Sequence, residues 1–147
     1  MWSWEDTSGL VREAAIQNRV LVIEDDDAVR TMLLTVLEVA NYEVRGVRGS
    51  VDALRLLETW RPDAIALDVL APDLDGYRFL DERSRRAELA RIPVVVVTFK
   101  PVPLPPASQL GVRAVLQQPH DVDALRATIA AALLDPTSPC ASCAQFH

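Results

Sequence analysis

The sequence predicts an α/β fold: a doubly wound, five-stranded parallel sheet with helices on both faces. Three observations carry this expectation. The runs Val20–Ile23, Ala64–Leu67 and Val94–Val97 are short and continuously hydrophobic rather than alternating, as strands covered on both faces are. Between them lie stretches whose apolar residues recur at helical spacing, so strands and helices alternate along the chain. Oxygen-bearing side chains, Glu24-Asp25, Asp68 and Thr98, follow or end those runs, at the carboxyl ends where such sheets build their sites.

Each element has its own signature. Val20 to Ile23 is the first strand, and Asp26 or Asp27 can cap the helix that follows. In that helix Val29, Met32, Leu33, Val36, Leu37 and Ala40 share one face. Asn41 then tolerates the left-handed conformation that ends helices. Tyr42 to Val47 alternates like a half-buried strand. Ser50 is expected to cap a second helix with Val51, Leu54 and Leu57 inward, and Arg61-Pro62 leads into the third strand, Asp63 to Leu67. A third helix spans about Gly76 to Arg85. Val94 to Val97, β-branched throughout, is the strongest strand signal, and Ala114 to Leu116 forms a short fifth strand. Asp121 caps a last helix with Val122, Leu125, Ile129, Ala132 and Leu133 on one face.

This arrangement fits a flavodoxin-like sheet of strand order 2-1-3-4-5. One segment departs from it. A helix is expected between strands four and five, but Pro101, Pro103, Pro105 and Pro106 lie there. Proline lacks an N–H and clashes with the preceding turn. The fourth helix is therefore expected to be shortened or replaced by a Pro-rich loop, with at most a turn of helix at Ala107 to Leu110.

Composition bounds the function. The chain has 147 residues, half of them hydrophobic, which suits one domain at 19–134 between a leader at 1–18 and a tail at 135–147. The leader carries Trp2 and Trp4, and a short helix is expected at Leu10 to Ile16. A formal net charge of −6 argues against direct nucleic-acid binding, which needs clustered Lys and Arg. No apolar run approaches the roughly 20 residues that span a bilayer, so no membrane association is expected. The first residues lack the pattern of a signal peptide, and a cytoplasmic protein is expected. Both cysteines, Cys140 and Cys143, lie in the tail, which excludes a disulfide-built core. With His147 they hint at a metal site, but three ligands in a tail make a weak one. Lys100 is the chain's only lysine.

A carboxylate at the mouth of a buried strand is costly unless a cation, a proton or covalent chemistry uses it. If the first and third strands are parallel neighbours, Glu24, Asp25 and Asp68 converge on one point. Hard carboxylate oxygens suit magnesium, which would screen them and keep Asp68 ionised and nucleophilic.

The stretch from about Arg19 to Leu134 resembles a response-regulator receiver domain of two-component signalling. The resemblance rests on the acidic pair after strand one, the aspartate of Asp68-Val69-Leu70-Ala71-Pro72-Asp73-Leu74-Asp75-Gly76, Thr98 ending strand four, and Pro119 after strand five. It implies that Asp68 is the phosphoacceptor, served by a histidine kinase or phosphotransfer protein. It implies Asp25 as a direct magnesium ligand, Glu24 as its partner acting through water, the Leu70 backbone carbonyl as a further ligand, and Thr98 as the switch hydroxyl. It implies a signalling domain rather than an enzyme, with at most self-phosphorylation and self-dephosphorylation. No effector domain is expected after Leu134, so a stand-alone receiver would act by binding a downstream protein, and it could form a homodimer.

The departures concern the phosphoryl side. Where the family has Lys-Pro, this chain has Gln118-Pro119, and Gln118 carries no charge. A unit charge pair at about 4 Å is worth roughly 4 kcal/mol gross at an effective dielectric of about 20. Driving a switch from about 1:99 to 99:1 takes about 5.5 kcal/mol, so the loss is large on that scale. Lys100 could reach back as a substitute cation, against the simpler reading of a solvated loop lysine. His120 is a more remote candidate. Phe99 stands where the family usually has a small residue and could narrow access to Asp68. A degenerate receiver acting as a constitutive docking module is the alternative function. Haloacid-dehalogenase-type phosphatases also use an aspartate and magnesium, but they need a second carboxylate where Leu70 stands. A flavodoxin-like nucleotide binder needs a phosphate-cradling loop, which Glu24 to Asp27 would repel.

Overall fold

A computed structural model describes residues 17–70, 75–117 and 121–134. Strands β1 (Arg19–Ile23), β2 (Glu43–Val47), β3 (Ala64–Leu67), β4 (Val94–Thr98) and β5 (Ala114–Gln117) form one parallel sheet of order β2-β1-β3-β4-β5. Six helices intervene or follow: α1 (Asp27–Val39), α2 (Ser50–Leu56), α3 (Asp75–Ser84), α4 (Ala87–Ala90), α5 (Ala107–Leu110) and α6 (Val122–Leu134). None of these described helices is long and apolar enough to cross a membrane.

Successive strand residues point to opposite faces, so each strand feeds two cores. On one face Leu21, Ile23, Ile65, Leu67, Val94 and Val96 meet Ala53, Leu57, Phe79, Leu80 and Leu89 from α2, α3, α4 and their borders. On the other, Val20, Val22, Ala66, Val95 and Val97 meet Leu33 and Leu37 of α1 and Leu125, Ile129 and Ala132 of α6. Burial on both faces is why β1, β3 and β4 lack alternation in sequence.

The helix ends follow local chemistry. Asp26 caps α1, its Oδ1 accepting from Val29 N at 3.0 Å. Asn41 takes up the chain reversal after α1 at φ 75°. Asp121 Oδ1 accepts from Ala124 N at 2.8 Å at the start of α6. The proline run permits only the four-residue α5, and Gly111 at φ 72° ends it. Gln117 Nε2 donates to the Val102 carbonyl and ties the loop to the end of β5.

Expectations for four residues are corrected, and one helix is added. Ser50 does not cap α2: it is the first helical residue, after an extended Gly49, and its hydroxyl donates to Asp75 Oδ1 at 2.7 Å. Asp75 Oδ2 also accepts from Ser50 N at 2.7 Å, so a distant carboxylate serves this helix end. Val51 is not inward but 66% exposed, because Ala53 and Leu57, four residues apart, hold the core-facing stripe. Val122 and Met32 are likewise exposed at the borders of their helical faces. Helix α4 was not anticipated: four residues are too few to show a period. Buried Arg83 secures it, donating through Nε and Nη2 to Ile92 O at 3.1 and 2.6 Å and through Nη2 to Ala90 O at 3.1 Å.

Candidate functional site

The register of the sheet brings the site together. Ile23 lies beside Leu67 in the β1–β3 pair, and Leu67 beside Val96 in the β3–β4 pair. The residues that follow, Glu24 and Asp68, therefore leave the sheet side by side. Asp68 N donates to Ile23 O at 3.1 Å, and Glu24 N to Val47 O at 3.0 Å. Thr98 is the last residue of β4 and is 1% exposed.

Carboxylate oxygens of Glu24, Asp25 and Asp68 lie within 4.8 Å of one another. With Asp26, Val29, Thr98, Phe99 and Lys100 they line a hollow of about 260 Å³. Glu24 and Asp68 are nearly buried, at 4% and 7% exposure, and Asp25 is half-buried. Three hard oxygen donors so close together fit a small divalent cation such as magnesium.

Hydrogen bonds hold these groups in place. Asp68 Oδ1 accepts from Leu70 N at 2.9 Å, which fixes the turn after β3. Glu24 Oε2 accepts from Asp26 N at 3.2 Å, and Arg30 Nη1 donates to the Glu24 carbonyl at 2.9 Å. Burial raises the Glu24 pKa from 4.5 to about 8; the neighbouring Asp68 and then Asp25 add to the shift, and the Asp26 N–H opposes it. Without a cation, Glu24 thus keeps its proton at neutral pH.

Lys100 stands at the rim. Its backbone N–H donates to Thr98 Oγ1 at 3.2 Å, and its Nζ donates to the Leu70 carbonyl at 3.4 Å. The simpler reading of a solvated loop lysine is therefore incomplete: the side chain is exposed, but its end lies against the site. Phe99 lines the acidic hollow and also an apolar hollow of about 290 Å³ with Met32, Val36, Asp121, Val122 and Leu125.

The structure thus gathers Glu24, Asp25, Asp68, Leu70, Thr98 and Lys100 at one place. Gln118, Pro119, His120 and residues 71–74 lie outside the described residues, as do the leader with Trp2 and Trp4 and the tail with Cys140, Cys143 and His147. Asp26 belongs to the hollow's lining, a role that its position after Glu24-Asp25 could have signalled.

Gly76 explains the end of the Asp68–Gly76 run. A Cβ there would come within 2.5 Å of Val69 Cα and 2.7 Å of the Asp68 carbonyl. Helix α3 packs directly on the backbone that carries Asp68, and only glycine allows that approach.

Comparison with known proteins gives a consistent picture. A family model for the response regulator receiver domain matches residues 20–130. The chain is 39% identical over 81 residues to the transcriptional regulatory protein AfsQ1 of Streptomyces coelicolor, covering 55% of this chain and 35% of that protein. It spans about a third or less of the length of the first curated relatives it matches. Protein PilH of Pseudomonas aeruginosa is 28% identical over 117 residues, covering 78% of this chain and 97% of PilH. Among solved structures, the receiver domain of a sensor histidine kinase from Pseudomonas aeruginosa matches with a TM-score of 0.70 at 25% identity, covering 81% of this chain and 99% of that one. That domain carries a magnesium ion coordinated in its active site cleft.

Proposed function

The chain belongs to the response regulator receiver domain family of two-component signalling, and from that membership we propose that Asp68 accepts a phosphoryl group from a histidine kinase or phosphotransfer protein. The observation that carries this reading is the meeting of Glu24, Asp25 and Asp68 within 4.8 Å beside Thr98. PilH, matched over nearly its whole length, supports a receiver that acts by itself, with output through binding a downstream protein.

In this reading an Asp68 carboxylate oxygen attacks phosphorus. The new O–P bond forms as the P–N bond of the partner's phosphohistidine breaks, and the leaving imidazole takes a proton from solvent water. The Leu70 N–H orients the attacking carboxylate through its bond to Oδ1. Asp25, Asp68, the Leu70 carbonyl and, through water, Glu24 would hold magnesium, which would neutralise charge on the transferring group. Because Thr98 Oγ1 accepts from the Lys100 N–H, its own proton is left to donate to a phosphoryl oxygen. Lys100 supplies the ammonium that Gln118 does not, and its position at the rim supports that role.

A second reading is a docking module that never switches. It is favoured by Gln118 at the lysine position and by the proline loop in place of most of the fourth helix. Incubation with magnesium and acetyl phosphate, followed by intact-mass spectrometry, separates the two. We expect a gain of one phosphate, labile to base and to hydroxylamine, and absent from Asp68→Asn. If neither acetyl phosphate nor phosphoramidate produces that gain, the docking reading stands.

A further inference from the structure

The residue at position 100 touches the site twice, once through its backbone and once through its side chain. It bridges Thr98, at the end of β4, and the turn after β3, and so closes one side of the acidic hollow. Among the described residues that line the hollow, Lys100 is the one cation, facing Glu24, Asp25, Asp26 and Asp68. The oxygen it holds, the Leu70 carbonyl, is the backbone oxygen assigned above to the metal.

We propose that Lys100 is a resident counter-cation that holds the Leu70 carbonyl in the metal-free protein and gives it up when a divalent ion binds. The proposal rests on the metal reading of the acidic cluster. One carbonyl oxygen cannot serve both cations without bringing like charges within a few ångströms of each other, where repulsion is strong. The ammonium is the weaker claimant. Its bond of 3.4 Å is long for N–H···O, and its side chain is exposed, flexible and readily hydrated. The ion has three carboxylates to hold it.

The exchange reaches beyond the side chain. Residue 100 opens the segment that carries Pro101, Pro103, Pro105 and Pro106, whose fixed φ angles limit how the chain can bend. A shift of Lys100 is therefore passed along this loop to Val102, where Gln117 holds it.

The test is a magnesium chloride titration of the isotopically labelled full chain, followed by nuclear magnetic resonance and calorimetry. In wild type we expect the Leu70 carbonyl and the amides of Lys100, Val102 and Leu104 to shift with one midpoint. In Lys100→Met and Lys100→Gln we expect the Leu70 carbonyl to shift alone. Magnesium should then bind about three- to fivefold tighter, the scale of an exposed ionic contact. Binding seen in the variants and not in wild type overturns the exchange, because Lys100 then does not yield to the ion. A Leu70 shift with still loop amides in wild type overturns the exchange alone, even if the variants bind more tightly through simple charge removal. Magnesium that moves nothing in either protein overturns the metal reading with it. Phosphorylation plays no part, so a failed acetyl phosphate experiment leaves this result intact.

Discussion

Glu24 is the residue whose environment has the clearest measurable consequence. Its folded pKa of about 8 lies above the ordinary 4.5, so the folded state holds its proton more tightly than the unfolded chain does. The stability this contributes is complete below about pH 4.5, is lost progressively as pH rises through about 8, and then levels off. In chelator, we expect the wild-type melting temperature to fall between about pH 5 and 8 more steeply than that of Glu24→Gln, which has no proton to lose. Equal slopes by calorimetry would show that Glu24 titrates normally. The meeting of Glu24, Asp25, Asp68 and Thr98 at one end of the sheet was legible in sequence, because strand ends in a parallel sheet lie side by side. The reach of Lys100 was raised in sequence only as one of two alternatives, because it depends on the path of a loop whose prolines say only that it is not helical. The pairing of Asp75 with Ser50 was hidden for a related reason, since it joins residues 25 apart in sequence.

Helix α3 has its starting point set by contact as much as by propensity. Its glycine lies against the Asp68–Val69 backbone, so an added methyl must push one element away from the other. We expect Gly76→Ala to lose about 1–3 kcal/mol in urea denaturation, the range for overpacking at a tight contact. Acetyl phosphate labelling of Asp68 should slow as well, since the displaced backbone is the one that carries it. Normal stability with normal labelling would mean that the helix can shift without disturbing the site. Among the elements, the proline loop was foreseen closely: each missing N–H removes a helical bond, and what remains is α5 at Ala107–Leu110. Helix α4 escaped because it is specified by the buried guanidinium of Arg83, not by a repeating pattern.

For the molecule as a whole, two hydrophobic layers on one sheet put all the candidate chemistry at one end. A divalent ion that binds only the folded arrangement must stabilise all of it. At about 100 times its dissociation constant the gain is about 2.7 kcal/mol. For a chain of this size that corresponds to a rise in melting temperature of about 5–10 °C, reversed by chelator. No rise with magnesium in Asp68→Asn, and none in wild type, would show that the carboxylates are not a metal site. The strand order was readable because alternating strands and helices leave few ways to wind. The shared wall between the acidic and apolar hollows was not, since it comes from one ring. Phe99 has a face on each, so anything that repacks the apolar side alters the volume beside Asp68. The chain has only three phenylalanines, Phe79, Phe99 and Phe146, and Phe79 is wholly buried. Fluorine-labelled phenylalanine would therefore give a spectrum of three lines, one of them from a ring that samples both compartments at once.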